Sequence, residues 1–130
     1  MNKSKIEIRP RLRVMVGRNI AMGPGKFQLL ELLQKNGSIT KAAREMKMSY
    51  MRAWTLIRTM NRCFKKPVVL TQHGGAHGGG GAVLTAAGRK VLALYGGMDA
   101  KCLRAIGPSG KKLEKLLGSA TKETKNMSGR

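Results

Sequence analysis

The chain has 130 residues, one domain's worth or one domain with tails, and 42% of them are hydrophobic, enough for a small core and too many for full disorder. Lys and Arg number 26 against 6 Asp and Glu, a formal net charge of +20 that needs a reason to tolerate self-repulsion or an anionic partner: nucleic acid, an anionic membrane surface or, as a special case, ribosomal RNA. No apolar run approaches the ~20 residues that span a bilayer, the opening residues carry no apolar signal segment, and two cysteines cannot make a disulfide scaffold. The expectation is a cytoplasmic protein with no membrane partner and with Cys63 and Cys102 reduced.

The positive charge is uneven. Residues 66–100 are nearly neutral, while the segments on either side are strongly basic. From Leu12 to Val16 the residues alternate with period two. Leu12, Val14 and Val16 fall on one face and Arg9, Arg11 and Arg13 on the other, the pattern of a half-buried strand with a basic outer face. Gly23-Pro24-Gly25 breaks the chain. Phe27, Leu29, Leu30, Leu32 and Leu33 then follow helical spacing up to Asn36, and Gly37 suits the left-handed position past a helix end.

The next segment carries most of the information. Ser38 and Thr40 can cap a helix running to about Met46, with the small pair Ala42-Ala43 inside it. Lys47-Met48 makes a tight turn. Ser49 can cap a second helix running to about Phe64, on which Ala53, Ile57, Met60 and Phe64 form a narrow apolar stripe. Met51, Thr55, Arg58 and Arg62 lie opposite and must face outward. A short helix, a tight turn and a longer helix with a basic outer face make a helix-turn-helix pattern, in which small side chains allow the two helices to cross closely. Tyr50 and Trp54 sit on the shoulder between the two faces, either flanking the core or stacking on a nucleic-acid backbone.

Two short β-prone runs follow, Val68–Thr71 and Ala82–Thr85, joined by a glycine-rich loop that contains His73 and His77. After a helix-turn-helix, such a hairpin reads as a wing, and its glycines let backbone approach a surface unobstructed. From Thr85 a last helix begins, interrupted at Gly96-Gly97. Its stripe of Val91, Tyr95, Met98 and Cys102, with Leu94 beside it, is expected to pair with a second copy of the chain. The fold class is therefore mainly α with a small β wing: a winged helix-turn-helix with a dimerisation helix over residues 1–106, then a basic, flexible tail over 107–130.

Other chemistries fare poorly. Gly74 and Gly79 have the spacing of a P-loop, but Gly80 stands where its lysine is needed. His73, His77, Cys63 and Cys102 include no Cys-x-x-Cys pair, so no metal and no cofactor is expected. The six carboxylates are scattered, and no histidine pairs with a nucleophile, so no enzyme is expected.

The run Asn36-Gly-Ser-Ile-Thr-Lys-Ala-Ala, then Met48-Ser-Tyr, Ala53-Trp54 and Met60-Asn61, resembles the amino-terminal domain of the ModE family of molybdate-dependent transcriptional regulators. Gly78-Gly-Gly-Gly-Ala-Val-Leu-Thr, Gly88-Arg89 and Leu94-Tyr95 look like the same family's wing and following helix. The likeness runs over about residues 10–100, and the helix-turn-helix is also similar to that of LysR-type regulators. The resemblance implies a winged-helix homodimer on a palindromic double-stranded DNA operator, with Ser49, Tyr50, Met51, Trp54 and Thr55 on the recognition helix. Further duplex contacts are expected from Ser38 and Thr40 on the first helix, from Arg52, Arg58 and Arg62 on the second, and from His73, Gly74, Gly75, His77, Gly78 and Gly79 on the wing. In the family, molybdate is held by separate carboxy-terminal modules. This chain of 130 residues is expected to lack them and not to sense molybdate alone. The rival expectation is a structural RNA- or ribosome-associated basic protein.

Overall fold

The structure, a computed structural model, describes residues 5–72 and 81–118. It divides into two compact units: Arg11–Asp99, and the described parts of Met1–Pro10 with Ala100–Arg130.

In the first unit, β1 (Val14–Val16) and β2 (Asn19–Met22) form a tight antiparallel hairpin. Val14 pairs with Met22 but Met15 pairs with Ile20, which leaves Ala21 without a cross-strand partner. This shift breaks the simple alternation expected from the sequence. Ala21 and Met22 are both buried although adjacent. Leu12 and Val14 pack against the core as expected, whereas Val16, at the hairpin end of β1, is 49% exposed.

The first helix, α1 (Pro24–Asn36), starts with proline in its first turn, where the missing N–H costs nothing. It buries Leu29, Leu30 and Leu33. Gly37 ends it at φ +66°, and its N–H donates to the Leu33 carbonyl at 2.8 Å. That backbone conformation is the reason for glycine here.

Two capped helices follow. In α2 (Ile39–Glu45) the Ser38 hydroxyl accepts from the Lys41 N–H at 3.1 Å. In α3 (Tyr50–Cys63) the Ser49 hydroxyl accepts from the Arg52 N–H at 3.0 Å. Such caps each stabilise a helix by about 1 kcal/mol. Between the helices Lys47 turns the chain through a left-handed conformation, φ +58°. Ala42, Ala43 and Ala53 are all buried, so small side chains stand where α2 meets α3. Ile57 and Met60 complete the buried stripe of α3, and Phe64 packs on the core from just past the helix end.

The hairpin read as a wing is β3 (Val69–Gln72) paired antiparallel with β4 (Gly81–Leu84), in the register Val69 to Leu84 and Gln72 to Gly81. On its other edge β4 meets the α1–α2 junction: Ala82 N–H donates to Gly37 O at 3.1 Å, and Ser38 bridges Gly81. This hairpin is thus tied to the α1–α2 junction by backbone hydrogen bonds. The resulting arrangement of helices with two small antiparallel sheets is compatible with a winged helix.

The last helix, α4 (Ala86–Glu114), runs without interruption through Gly96-Gly97 and continues beyond residue 106, through Gly107 and Pro108. Within the second unit Gly110 is buried, and a Cβ there would sit 2.7 Å from Ile8 Cδ1. Packing on that arm goes with helix where composition suggested a tail. Residues 119–130, the second half of the expected tail, lie outside the described residues.

Thr85 starts α4. Its hydroxyl accepts from the Gly88 N–H at 2.9 Å and donates to the Pro67 carbonyl at 2.7 Å. Gly88 lies directly against Val68: a Cβ on it would stand 2.0 Å from the Val68 carbonyl oxygen. Gly88→Ala must push the start of α4 off the wing and should cost about 1–3 kcal/mol. Urea unfolding should show a lower midpoint at unchanged slope; an unchanged midpoint would mean that the two segments are not in contact.

Candidate nucleic-acid interface

The outer face of α3 is built by the same periodicity that builds its inner face. With Ala53, Ile57 and Met60 inside, Met51, Arg52, Thr55, Arg58 and Arg62 stand outside, all exposed. Met51 is 61% exposed, an unusual placement for a large apolar side chain. Tyr50 is also exposed. Trp54 divides between both readings of it: it is half-buried against the core, and the Arg58 guanidinium lies 4.8 Å from its ring centroid. That cation–π contact stabilises by about 0.5–1 kcal/mol at an exposed site and holds Arg58 in an outward pose. The Thr59 hydroxyl donates to the Thr55 carbonyl at 2.9 Å, which leaves the Thr55 hydroxyl on the surface.

No acidic side chain shares this face. Among the described residues the ion pair is that of Arg9 with Glu7, at 2.9 Å and in the other unit. The hydrogen bond from Arg9 holds the Glu7 carboxyl below the usual carboxylate range. The arginines of α3 therefore present uncompensated charge.

The other expected site residues are spread more widely. Ser38 and Ser49 use a lone pair each in capping, and Thr40 is exposed at the start of α2. The wing-tip positions His73, Gly74, Gly75, His77, Gly78 and Gly79 lie outside the described residues. On the described wing, Leu70 and Val83 are cross-strand neighbours and remain 53% and 44% exposed.

The expected dimerisation stripe divides between the chain's own core and its surface. Tyr95 is buried in the chain's own core, its ring 5.1 Å from that of Phe27 and its hydroxyl donating to the Leu12 carbonyl at 2.7 Å. A helical stripe looks the same in sequence whether it packs at home or on a partner. Leu94 and Met98 remain exposed, at 58% and 43%, beside half-buried Val91. They line an apolar hollow of about 220 Å³ that Val14, Met22 and Phe64 complete. Cys102 is half-buried and belongs to the second unit.

Sequence reasoning missed the role of Asn61. Its side-chain amide donates to Val69 O at 2.9 Å, while its carbonyl oxygen accepts from Val68 N–H at 2.8 Å and from Val69 N–H at 3.2 Å. A single side chain thus clamps the first strand of the wing to α3. A polar residue adjoining the buried stripe was the available signal. Among the described residues, no cluster of three or more His, Cys, Asp or Glu could hold a metal, and no helix is long and apolar enough to cross a membrane.

The chain is similar in sequence to known proteins. The molybdenum-pterin-binding protein MopB of Rhodobacter capsulatus is 41% identical over 92 residues, 71% of this chain and 34% of its own. The molybdenum transport protein ModE of Azotobacter vinelandii is 34% identical over 98 residues, 75% of this chain and 36% of its own. The DNA-binding transcriptional dual regulator ModE of Escherichia coli K12 is 36% identical over 72 residues, 55% of this chain and 27% of its own. These relatives fit the ModE family. No family model matches the chain. The chain spans about a third of the length of the ModE and Mop relatives it matches most extensively.

Asn61→Ala leaves the Val69 carbonyl and two N–H groups without their partner, at about 1–3 kcal/mol for each group that stays buried. Amide exchange at Val68 and Val69 should accelerate by about tenfold or more, since ~1.4 kcal/mol is tenfold. Unchanged exchange there would show that the wing does not depend on this clamp.

Proposed function

We propose that this chain is a ModE-type winged helix-turn-helix module that binds a specific double-stranded DNA sequence and regulates transcription, by binding and not by catalysis. The observation that carries the reading is the outer face of α3: Tyr50, Met51, Arg52, Thr55, Arg58 and Arg62, with no carboxylate among them, on a helix whose other face is locked in the core. In helix-turn-helix proteins the second helix enters the major groove with its N-terminal residues at the base edges. Met51 and Thr55 occupy that end here and offer a thymine-methyl contact and a hydroxyl. Arg58 and Arg62 lie one and two turns further on, at phosphate height. The similarity to a relative described as DNA-binding supports the same reading.

A duplex selected from a random pool should bind more tightly than an unselected one. At roughly 6–10 phosphate contacts, both should lose about 10³–10⁵ in affinity between ~50 and ~200 mM salt. Arg58→Ala should weaken all duplexes alike, whereas Met51→Ala or Thr55→Ala should narrow the gap between selected and unselected ones. Equal loss on every duplex from all three would remove α3 as the reader. RNA bound as tightly as the selected duplex would favour the rival reading of a structural RNA-binding protein.

The partner set includes a second copy of the chain, which makes the operator a palindrome. Leu94, Met98 and Val91, around the apolar hollow, supply the pairing surface, with Tyr95 behind them as support. Sedimentation at micromolar concentration should give about twice 14.1 kDa. Leu94→Glu should return the mass of one chain, and a wild-type monomer would remove the palindrome with the dimer.

A further inference from the structure

Beside the recognition helix, three parts of the first unit enclose a hollow of about 300 Å³: the hairpin and the residues leading into it, the first turn of α1, and the start of α3. Arg11, Arg13, Lys26 and Arg52 line it over an apolar wall that includes Met48 and Leu56, and no carboxylate lines it. Four cationic side chains around one hollow with no carboxylate in its lining leave their charge open to an anion. Lys26 is half-buried, and its ammonium donates to the Ile20 carbonyl. An ammonium has three donors, so two remain for a ligand. Burial pushes this lysine below its ordinary pKa, with Cys63 nearby acting weakly in the other direction. At ~30 Å³ per water, the hollow has the volume of roughly ten waters, room for a small oxyanion and part of its hydration shell.

Arg52 decides what that anion is. It lies in the first turn of α3, so one wall of the hollow is also the leading edge of the helix read here as entering the major groove. The backbone of a bound duplex passes beside that edge. We propose that this hollow is a subsite for one tetrahedral oxyanion, and that in the duplex complex the oxyanion is a backbone phosphate flanking the bases under α3. The inference rests on the duplex-binding reading above. It adds Lys26 and the hairpin to the footprint as one sequence-independent phosphate contact.

The test compares the full chain with Lys26→Gln and with Arg13→Gln, the latter an exposed position that leaves folding intact. Each variant should reduce the slope of log affinity against log salt by about 0.9, one phosphate's worth, with the ratio between selected and unselected duplexes retained. In the wild type, the Lys26 ammonium pKa, followed by side-chain NMR, should rise when duplex binds, a change that a merely structural lysine would not show. Slopes equal to wild type with an unmoved Lys26 overturn this inference and leave duplex binding standing. A wild type with no duplex affinity overturns both. Inorganic phosphate, titrated without DNA, separates the sources: if it raises the Lys26 pKa and duplex does not displace it, the hollow is a free-anion site and the backbone assignment is wrong.

Discussion

The peptide of Val68 is held from two sides. Its N–H donates to Asn61 on α3, and its carbonyl accepts the Thr85 N–H at the start of α4. Gly88 backs onto the same carbonyl, closer than any side chain would permit. One residue therefore joins α3, the first strand of the wing and the last helix. A two-stranded hairpin is marginal on its own. This one persists because its base is bonded to α3, and because Gly37 and Ser38 extend β4 on its far edge. The bonds are between backbone groups or to a single amide, so they define the angle at which the wing leaves the helix-turn-helix.

That rigidity matters because the exposed face of α3 is costly to keep. Its arginines carry no carboxylate partners, and the chain as a whole carries +20. Self-repulsion of this kind destabilises a compact state. The core that opposes it is small: the leucines of α1, the alanine-lined crossing of α2 on α3, and the valines at the foot of the wing. Arg58 is stacked on Trp54, so one of these charges is already oriented before any ligand arrives.

Much of this was legible along the chain because the relevant physics is local. Ser38 and Ser49 cap because a hydroxyl can reach the backbone three residues on. Gly37 ends α1 because its φ is positive. Ala53, Ile57 and Met60 turn inward because they share a helical face. Each of those statements needs only neighbours within one or two turns, which the order of residues supplies. The outward set on α3 follows as the complement of the inward one.

What tertiary structure alone decided involves residues far apart in the chain. Tyr95 has the spacing of an interface residue, yet its hydroxyl reaches Leu12 and it packs at home. Ala21 and Met22 are buried side by side because the pairing of β1 with β2 slips by one residue at Ala21, and periodicity in one strand carries no information about its partner. Composition suggests a tail after residue 106, but Gly110 packs on Ile8 and α4 continues to Glu114. Arg11 and Arg13 share a strand period, but Lys26 and Arg52 share no motif or period with them, and only the folded chain brings all four around one hollow. Helical and strand periods record which side of an element is apolar. They cannot record what lies against that side, because that depends on distances across the fold and not along the chain.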